Sequence, residues 1–378
     1  MPSAPTEPDL KNERLAKKYR PLLVLCPEIA DGSRRKDHHY PAHGPGSAPP
    51  LDQDYHPRDI RLVLDNAFLP RRKEKPSREE VLEAMSENSV DYIDLIDKHG
   101  PKDVDKFWRI YAEIKEKDSN PEYQRKAYAR VVNGPGRFKD YILIQYWLAY
   151  FFDDWANVHE MDWEMVSIIL KKTGSTEKPV ACVFNAHISS FRKPWQEVHK
   201  VDEKGNKNPD GLHPVAYIAN GSHASYFSDY SSDFNVAAPF LGPMLNRVIR
   251  IAKLMKAHTD YVPSYEEGIR YFPDVEVVPQ PDENGRWSGD WRWLNFKGRW
   301  GSPVEWSCME RIIAQIPGLR TILKVTTRPL RESGPTGPNA RKDSCWKDPF
   351  NWVNLECFDA LKTSDWLGKI GGANASEL

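Results

Sequence analysis

The longest apolar run of the chain is FKDYILIQYWLAYFFDD, residues 138–154, and it limits the choice of fold more than any other feature. Aromatic and β-branched residues of this density favour strand over helix. The run is also shorter than the ~20 apolar residues that a membrane helix needs. We therefore predict a central, buried strand rather than a transmembrane segment.

Shorter strand patterns recur on both sides of this run, separated by loops, and the Asn220-Gly221 pair is typical of a hairpin turn. IRLVLDNAFL, residues 60–69, is compatible with a strand or a short helix. Short strands joined by loops predict a mainly β fold, a β-sandwich with helical insertions, and α+β overall. The other predicted strands are RPLLVLCPEI (20–29), DWEMVSIIL (162–170), PVACVFNAH (179–187) and HPVAYIA (213–219).

Two helical insertions are predicted. The first lies near residues 77–130 and begins at Ser77, three residues before Glu80, the spacing of a capping box. The second lies at 241–257, where LGPMLNRVIRIAKLMKA has an apolar stripe opposite basic residues. Such a helix either packs on the protein surface or lies on an anionic membrane.

The predicted domain organisation is simple. We expect a flexible amino-terminal segment (1–18), a single β-sandwich domain (19–360) and a flexible tail (361–378). Within the domain, GDWRWLNFKGRWG, residues 289–301, is interpreted as a strand and turn packed on the sandwich.

Net charge, the polar amino terminus and the cysteines indicate which classes of protein this chain resembles least. The formal net charge of −1 does not indicate a nucleic-acid-binding protein, and the polar amino terminus has no apolar signal core. Five dispersed cysteines without a CxxC pair favour free thiols in a reducing compartment. These features predict a cytoplasmic protein. The role of the loop histidines His38, His39 and His43 stays open, between a metal site and a solvated loop.

HEMDWE, residues 159–164, places acids at the start of an apolar strand. In a strand, alternate residues share a face, so Asp162 and Glu164 lie on the face of Val166. Buried like charges need a cation or hydrogen-bond donors nearby. One interpretation is a metal site for magnesium, calcium, manganese or zinc. The other is a buried hydrogen-bond network. The predicted metal ligands are His159, Asp162, Glu164, His187 and His223.

A family resemblance extends this reading. NVHEMDWEMVSIIL, NAHISSFRKPWQEV, HPVAYIANGSHASYFS and WLNFKGRWGSP resemble, in this order, blocks of the vacuolar protein sorting-associated protein 62 family. The resemblance implies an all-β core with helical insertions and a role in protein trafficking to the vacuole. It also implies a location at the periphery of vacuolar or endosomal membranes. Met161 stands where the family pattern has a small residue.

The Asp-Trp-Glu core is also similar, over a shorter stretch, to the histidine-rich heptapeptide of the necrosis-inducing phytotoxins. That resemblance implies a β-sandwich that holds a divalent cation with such a motif.

Two functions remain open from the sequence. The first is a trafficking protein that meets protein partners, or an anionic membrane through residues 241–257. The second is a metal-dependent hydrolase or lyase acting on a small molecule, for example in secondary metabolism. In that case Glu160 and His223 would be the catalytic proton-transfer residues. No nucleophile elbow, P-loop or dinucleotide motif is present in the sequence, so no organic cofactor is predicted.

Overall fold

The computed structural model describes residues 7–26, 55–95, 111, 123–153, 159–186, 189–231, 261–303, 333–341 and 344–353. Its helices are α1 (Glu7–Lys18), α2 (Arg61–Asn66), α3 (Arg78–Glu87) and α4 (Pro349–Trp352), with 3-10 turns at Gly136–Phe138, Trp195–Glu197, Gly289–Asn295 and Pro338–Ala340. Its strands are β1 (Leu22–Leu25), β2 (Tyr92–Ile93), β3 (Lys126–Asn133), β4 (Tyr141–Asp153), β5 (His159–Thr173), β6 (Thr176–Ala186), β7 (Ser189–Pro194), β8 (Lys200–Val201), β9 (His213–Ile218), β10 (Ser225–Tyr226), β11 (Tyr230–Ser231), β12 (Tyr261–Val262), β13 (Ile269–Tyr271), β14 (Asp274–Val277) and β15 (Arg299–Trp300).

Two sheets form the body of the structure. The six-stranded sheet has the order β14-β3-β4-β5-β6-β7, and the five-stranded sheet has the order β10-β9-β1-β13 with β8 also paired to β9. Within the larger sheet only β14 and β3 run parallel. Apolar side chains of both sheets meet in one core, where Leu23 and Ile218 join Ile144 and Ile168. The predicted mainly β fold, a sandwich with helical insertions, is confirmed.

The larger sheet is covered on both faces. The five-stranded sheet lies on one face, and the second face packs Trp147, Trp163 and Met165 against α2, α3 and the 3-10 turn Gly289–Asn295. This double coverage explains why all 13 residues of β4 are buried and why its sequence is continuously apolar rather than alternating. Each aromatic side chain buried here contributes about 1.5–3 kcal/mol by removing apolar surface from water.

The amino-terminal prediction is wrong for residues 7–18. These residues form α1, which buries Leu15 and Ala16 in the core between the sheets. The hydroxyl of Tyr146 on β4 donates a hydrogen bond to the carbonyl of Ala16 at 2.8 Å. The helix is therefore part of the packed structure.

Helix α3 begins where the sequence predicts. The hydroxyl oxygen of Ser77 accepts from the backbone N–H of Glu80, and the Glu80 carboxylate accepts from the backbone N–H of Ser77, which completes the capping box. The predicted insertion near 77–130 is not helical to its end, because β3 begins at Lys126. Residues 96–110 and 112–122 lie outside the described residues, as do 241–257 and the tail 361–378.

The structure also shows the conformation of residues 61–66 and the state of three cysteines. Residues 61–66 of IRLVLDNAFL form the short helix α2. Cys26, Cys182 and Cys345 are free thiols, as expected. Within the described residues, no helix is long and apolar enough to cross a membrane.

Candidate metal centre

Three buried side chains meet where β4 ends and β5 begins. Asp153 is the last residue of β4, His159 is the first of β5, and the two are directly paired across the hairpin. One ligand atom from each of Asp153, His159 and Asp162 lies within 4.8 Å of the other two. The exposed fractions of the three residues are only 3%, 7% and 8%. Two carboxylates and an imidazole therefore share a small, shielded space.

Met161 makes this meeting possible. His159 and Asp162 are three positions apart, so a regular strand would place their side chains on opposite faces. The φ angle of Met161 is +57°, in the left-handed region, and this breaks the alternation between the two residues. This region favours glycine, so the Met161 side chain is held there at a cost in free energy.

The hydrogen bonds of His159 fix its tautomer. Its Nδ1 lies 2.6 Å from the carbonyl oxygen of Met161. A carbonyl only accepts, so Nδ1 carries the proton and donates. Nε2 lies 3.7 Å from Oδ2 of Asp153, and in the neutral ring this nitrogen carries the lone pair that a metal ion would use. Metal-binding histidines are commonly oriented in this way by a backbone carbonyl.

Positive groups around Asp162 hold it in the charged form. Burial alone would raise the pKa of Asp162, but the hydrogen bond and charge of His223, together with His159 and Arg341, lower the pKa below its ordinary value. The Asp162 carboxylate is therefore available as an anionic ligand over the whole neutral pH range.

His223 reaches Asp162 from the other sheet. It lies in the turn between β9 and β10, with a φ of +56°, and it is fully buried. Its Nδ1 is 3.1 Å from Oδ2 of Asp162. Its ring stacks on Tyr150 of β4 with a centroid distance of 3.8 Å and an interplanar angle of 9°. His223 thus links the turn of the smaller sheet to the acidic strand of the larger one.

Glu164 and the remaining predicted histidines are not part of this three-residue cluster in the described structure. Glu164 is buried two pairs beyond Asp162 along β5, opposite Leu148, and its charge raises the pKa of Tyr150 after the larger effect of burial. Glu164 does not belong to the three-residue cluster. His187 lies outside the described residues, and so do His38, His39 and His43.

Glu160 occupies a separate environment. Its carboxylate accepts hydrogen bonds from the backbone N–H groups of Leu95 (3.0 Å) and Ser302 (2.9 Å). Burial, followed by the charge of Asp94, raises the pKa of Glu160 to about 8. Gly301, whose φ is +127°, lies so close that a Cβ there would be 2.7 Å from the Cβ of Glu160. Glu160 is therefore packed into the junction with β15.

The sequence interpretation missed Asp153. The signal was present, since an Asp-Asp pair follows the apolar run of β4 and a histidine begins the next strand. Recognising it required the hairpin register, which sequence patterns alone do not supply.

Comparisons with known proteins add little to this geometry. No family model matches the chain, and no curated protein matches it. The resemblance to the sorting family therefore stays a prediction.

Several solved structures resemble parts of the chain. One is titled "NLPPya in complex with glucosamine" (TM-score 0.20, 20% identity, 28% of this chain and 45% of that chain). Another is "Toxin fold for microbial attack and plant defense" (TM-score 0.22, 13% identity, 40% and 51%). A third is "Crystal structure of non-toxic HaNLP3 protein" (TM-score 0.22, 11% identity, 41% and 51%). The chain covers about half of the length of each, and at these scores no argument rests on the likeness.

Proposed function

We propose that this protein is a binding protein whose β-sandwich is fastened by a structural divalent cation. Asp153, His159 and Asp162 are the proposed ligands. The observation that carries the proposal is their buried cluster, with ligand atoms within 4.8 Å of one another. Two ligands at ~2.4 Å on opposite sides of one ion are about 4.8 Å apart, so a single ion can touch all three.

Electrostatics support a cation at this position. Two buried carboxylates repel each other and lose their hydration, and this cost is large unless positive charge lies beside them. A divalent cation would neutralise Asp153 and Asp162 together. Carboxylate and imidazole ligands suit magnesium, calcium, manganese or zinc. The ion would link the end of β4 to the start of β5 and make this end of the strand pair rigid.

A binding role fits the surroundings better than catalysis. The two residues that the enzyme hypothesis needs are both enclosed, since Glu160 is 1% exposed and His223 is 0% exposed. Glu160 is held by backbone donors, and His223 by Asp162 and the ring of Tyr150. A proton-transfer residue must reach its substrate within hydrogen-bond distance. Enclosed side chains with these contacts support a structural role.

The competing interpretation is a metal-free hydrogen-bond network in which histidines carry the positive charge. The two interpretations differ in their response to a chelator. We expect a chelator to lower the melting temperature of the wild type and of Asp140→Asn, an exposed aspartate just before β4. Asp162→Asn should melt lower without chelator and show no further decrease with it. Wild-type melting that a chelator leaves unchanged would remove the metal and leave the network.

The resemblance to the vacuolar sorting family supports a more specific role for this binding protein, in sorting to the vacuole. The partners that this role implies are proteins, or an anionic membrane met by residues 241–257. In cells that lack the protein, restoring it should correct the sorting of a vacuolar marker. Normal sorting without the protein would contradict the role while leaving the metal proposal intact.

A further inference from the structure

A small pocket lies on the face of the larger sheet that is turned away from the five-stranded sheet. It has a volume of about 100 Å³ and lies between α2, the start of α3 and the 3-10 turn Gly289–Asn295. For scale, an engineered cavity of about 150 Å³ in another protein binds benzene. By that scale the pocket holds about four non-hydrogen atoms, the size of a trimethylammonium group, and the rest of a longer ligand would extend toward solvent.

One wall of the pocket is aromatic. Tyr128 of β3 meets Trp291 edge-to-face at a centroid distance of 5.7 Å and meets Trp293 at 5.3 Å. Trp293 is fixed from behind by Trp163, whose ring stacks on it at 5.5 Å. Trp291 is only half-buried, so part of its indole stays accessible from the pocket. The faces of such rings carry partial negative charge and attract cations.

The cations of the pocket wall are already neutralised. The guanidinium of Arg61 donates to both oxygens of Asp59 at 3.1 and 2.6 Å. The ammonium group of Lys126 lies 2.6 Å from both Asp59 and Glu276. Together these four groups are charge-balanced.

Arg78, the other cationic residue that lines the pocket, donates to both oxygens of Asp65 at 2.5 and 2.6 Å. An anionic ligand would have to compete with two paired carboxylates for Arg61 and Arg78. The pocket is thus poorly suited to phosphate or carboxylate ligands.

The pocket wall also carries the carboxylate of Asp290, which interacts with the guanidinium of Arg292 through its charge alone. Asp290 is exposed, lines the pocket and has no hydrogen bond or ion pair with any residue that the structure describes. Its neighbour Arg292 is paired instead with Glu79 at 2.6 and 2.8 Å. A carboxylate beside an accessible indole combines the two interactions that recognise organic ammonium ions.

We propose that this pocket binds a small organic monocation of the ammonium class. The cationic group lies against the indole of Trp291, with Asp290 as its counter-charge. The proposal concerns the opposite face of the sheet from the metal cluster and does not depend on it.

The test compares two ligands of nearly equal shape. Choline carries the charge, and 3,3-dimethylbutan-1-ol is its neutral carbon analogue. Isothermal titration of the full chain should show choline binding and at least about tenfold weaker binding of the neutral analogue, the difference expected for about 1.4 kcal/mol of cation–π and charge attraction.

Substitutions at Trp291 and Asp290 test whether choline binds in this pocket. Trp291→Leu keeps an apolar side chain but removes the aromatic face, and it should weaken choline binding about tenfold. Asp290→Asn should weaken it about fivefold at low salt. Asp140→Asn, an exposed aspartate elsewhere, should leave it unchanged. No choline binding, equal binding of both ligands, or unchanged binding in Trp291→Leu and Asp290→Asn would overturn the proposal.

Discussion

At the scale of single residues, the conformation of Met161 decides whether a metal site exists. Without its left-handed φ of +57°, His159 and Asp162 would lie on opposite faces of β5. Met161 is itself fully buried in the aromatic core between the larger sheet and helices α2 and α3. This packing holds the unfavourable conformation in place. The site is therefore built from a local departure from regular strand geometry.

His223 gives the first residue-scale prediction. His223→Ala removes the hydrogen bond to Asp162 and the stack on Tyr150. A hydrogen bond to a charged group contributes ~1.5–3 kcal/mol and an aromatic pair ~0.5–1.5 kcal/mol. We expect the free energy of unfolding, measured by urea denaturation, to fall by about 2–4 kcal/mol.

Tyr150→Phe is the matched control. It keeps the ring that stacks on His223 and removes a buried hydroxyl that has no hydrogen-bond partner in the described part of the chain. Its stability should stay within about 1 kcal/mol of the wild type or rise. Equal losses in both variants would show that the Tyr150–His223–Asp162 arrangement is not the stabilising feature.

Only part of the site was predictable from the sequence. The sequence placed Asp162 and His223 in one cluster, and the structure brings Nδ1 of His223 to 3.1 Å from Oδ2 of Asp162. Their role as metal ligands stays a prediction. Asp153 was missed, because its place in the cluster depends on the β4–β5 register. Glu160 is a proton-transfer residue only under the enzyme alternative, and its carboxylate accepts hydrogen bonds from backbone N–H groups near β15. Sequence spacing does not reveal such a long-range contact.

At the scale of elements, local signals with a strong physical cause predicted the structure well. The capping box at Ser77 fixes the start of α3, and continuous apolar runs fix β4 and much of β5. The interpretation of 289–301 as a strand and turn holds only for its end, because residues 289–295 form a 3-10 turn and the strand is limited to Arg299–Trp300. In this 3-10 turn the ring of Trp293 stacks on Trp163, a long-range contact that the alternation of residue types does not reveal.

The capping box gives the element-scale prediction. Ser77→Ala removes the side-chain acceptor of the Glu80 N–H and should lower the free energy of unfolding by about 1 kcal/mol. Ser288→Ala is the matched control, since Ser288 precedes the 3-10 turn and its side chain makes no capping hydrogen bond. Its effect should stay within about 0.5 kcal/mol. A Ser77→Ala variant as stable as Ser288→Ala would show that the box does not stabilise α3.

At the scale of the whole molecule, the larger sheet separates two chemically different regions. One face carries the acidic strand residue Asp162 and the core shared with the smaller sheet, and the other carries the aromatic core with its pocket. The sequence predicted the sandwich class because the strand patterns are local. The strand order and the docking of α1 depend on contacts between distant residues, which the patterns do not contain.

We propose above that Asp153, His159 and Asp162 hold one divalent cation. Elemental analysis of the purified, dialysed protein by mass spectrometry tests this most directly. We expect about one divalent ion per chain in the wild type and in Asp140→Asn, and loss of that ion in Asp153→Asn. A wild-type chain without a divalent ion, or an Asp153→Asn variant that retains the ion fully, would show that these three side chains do not form a metal site.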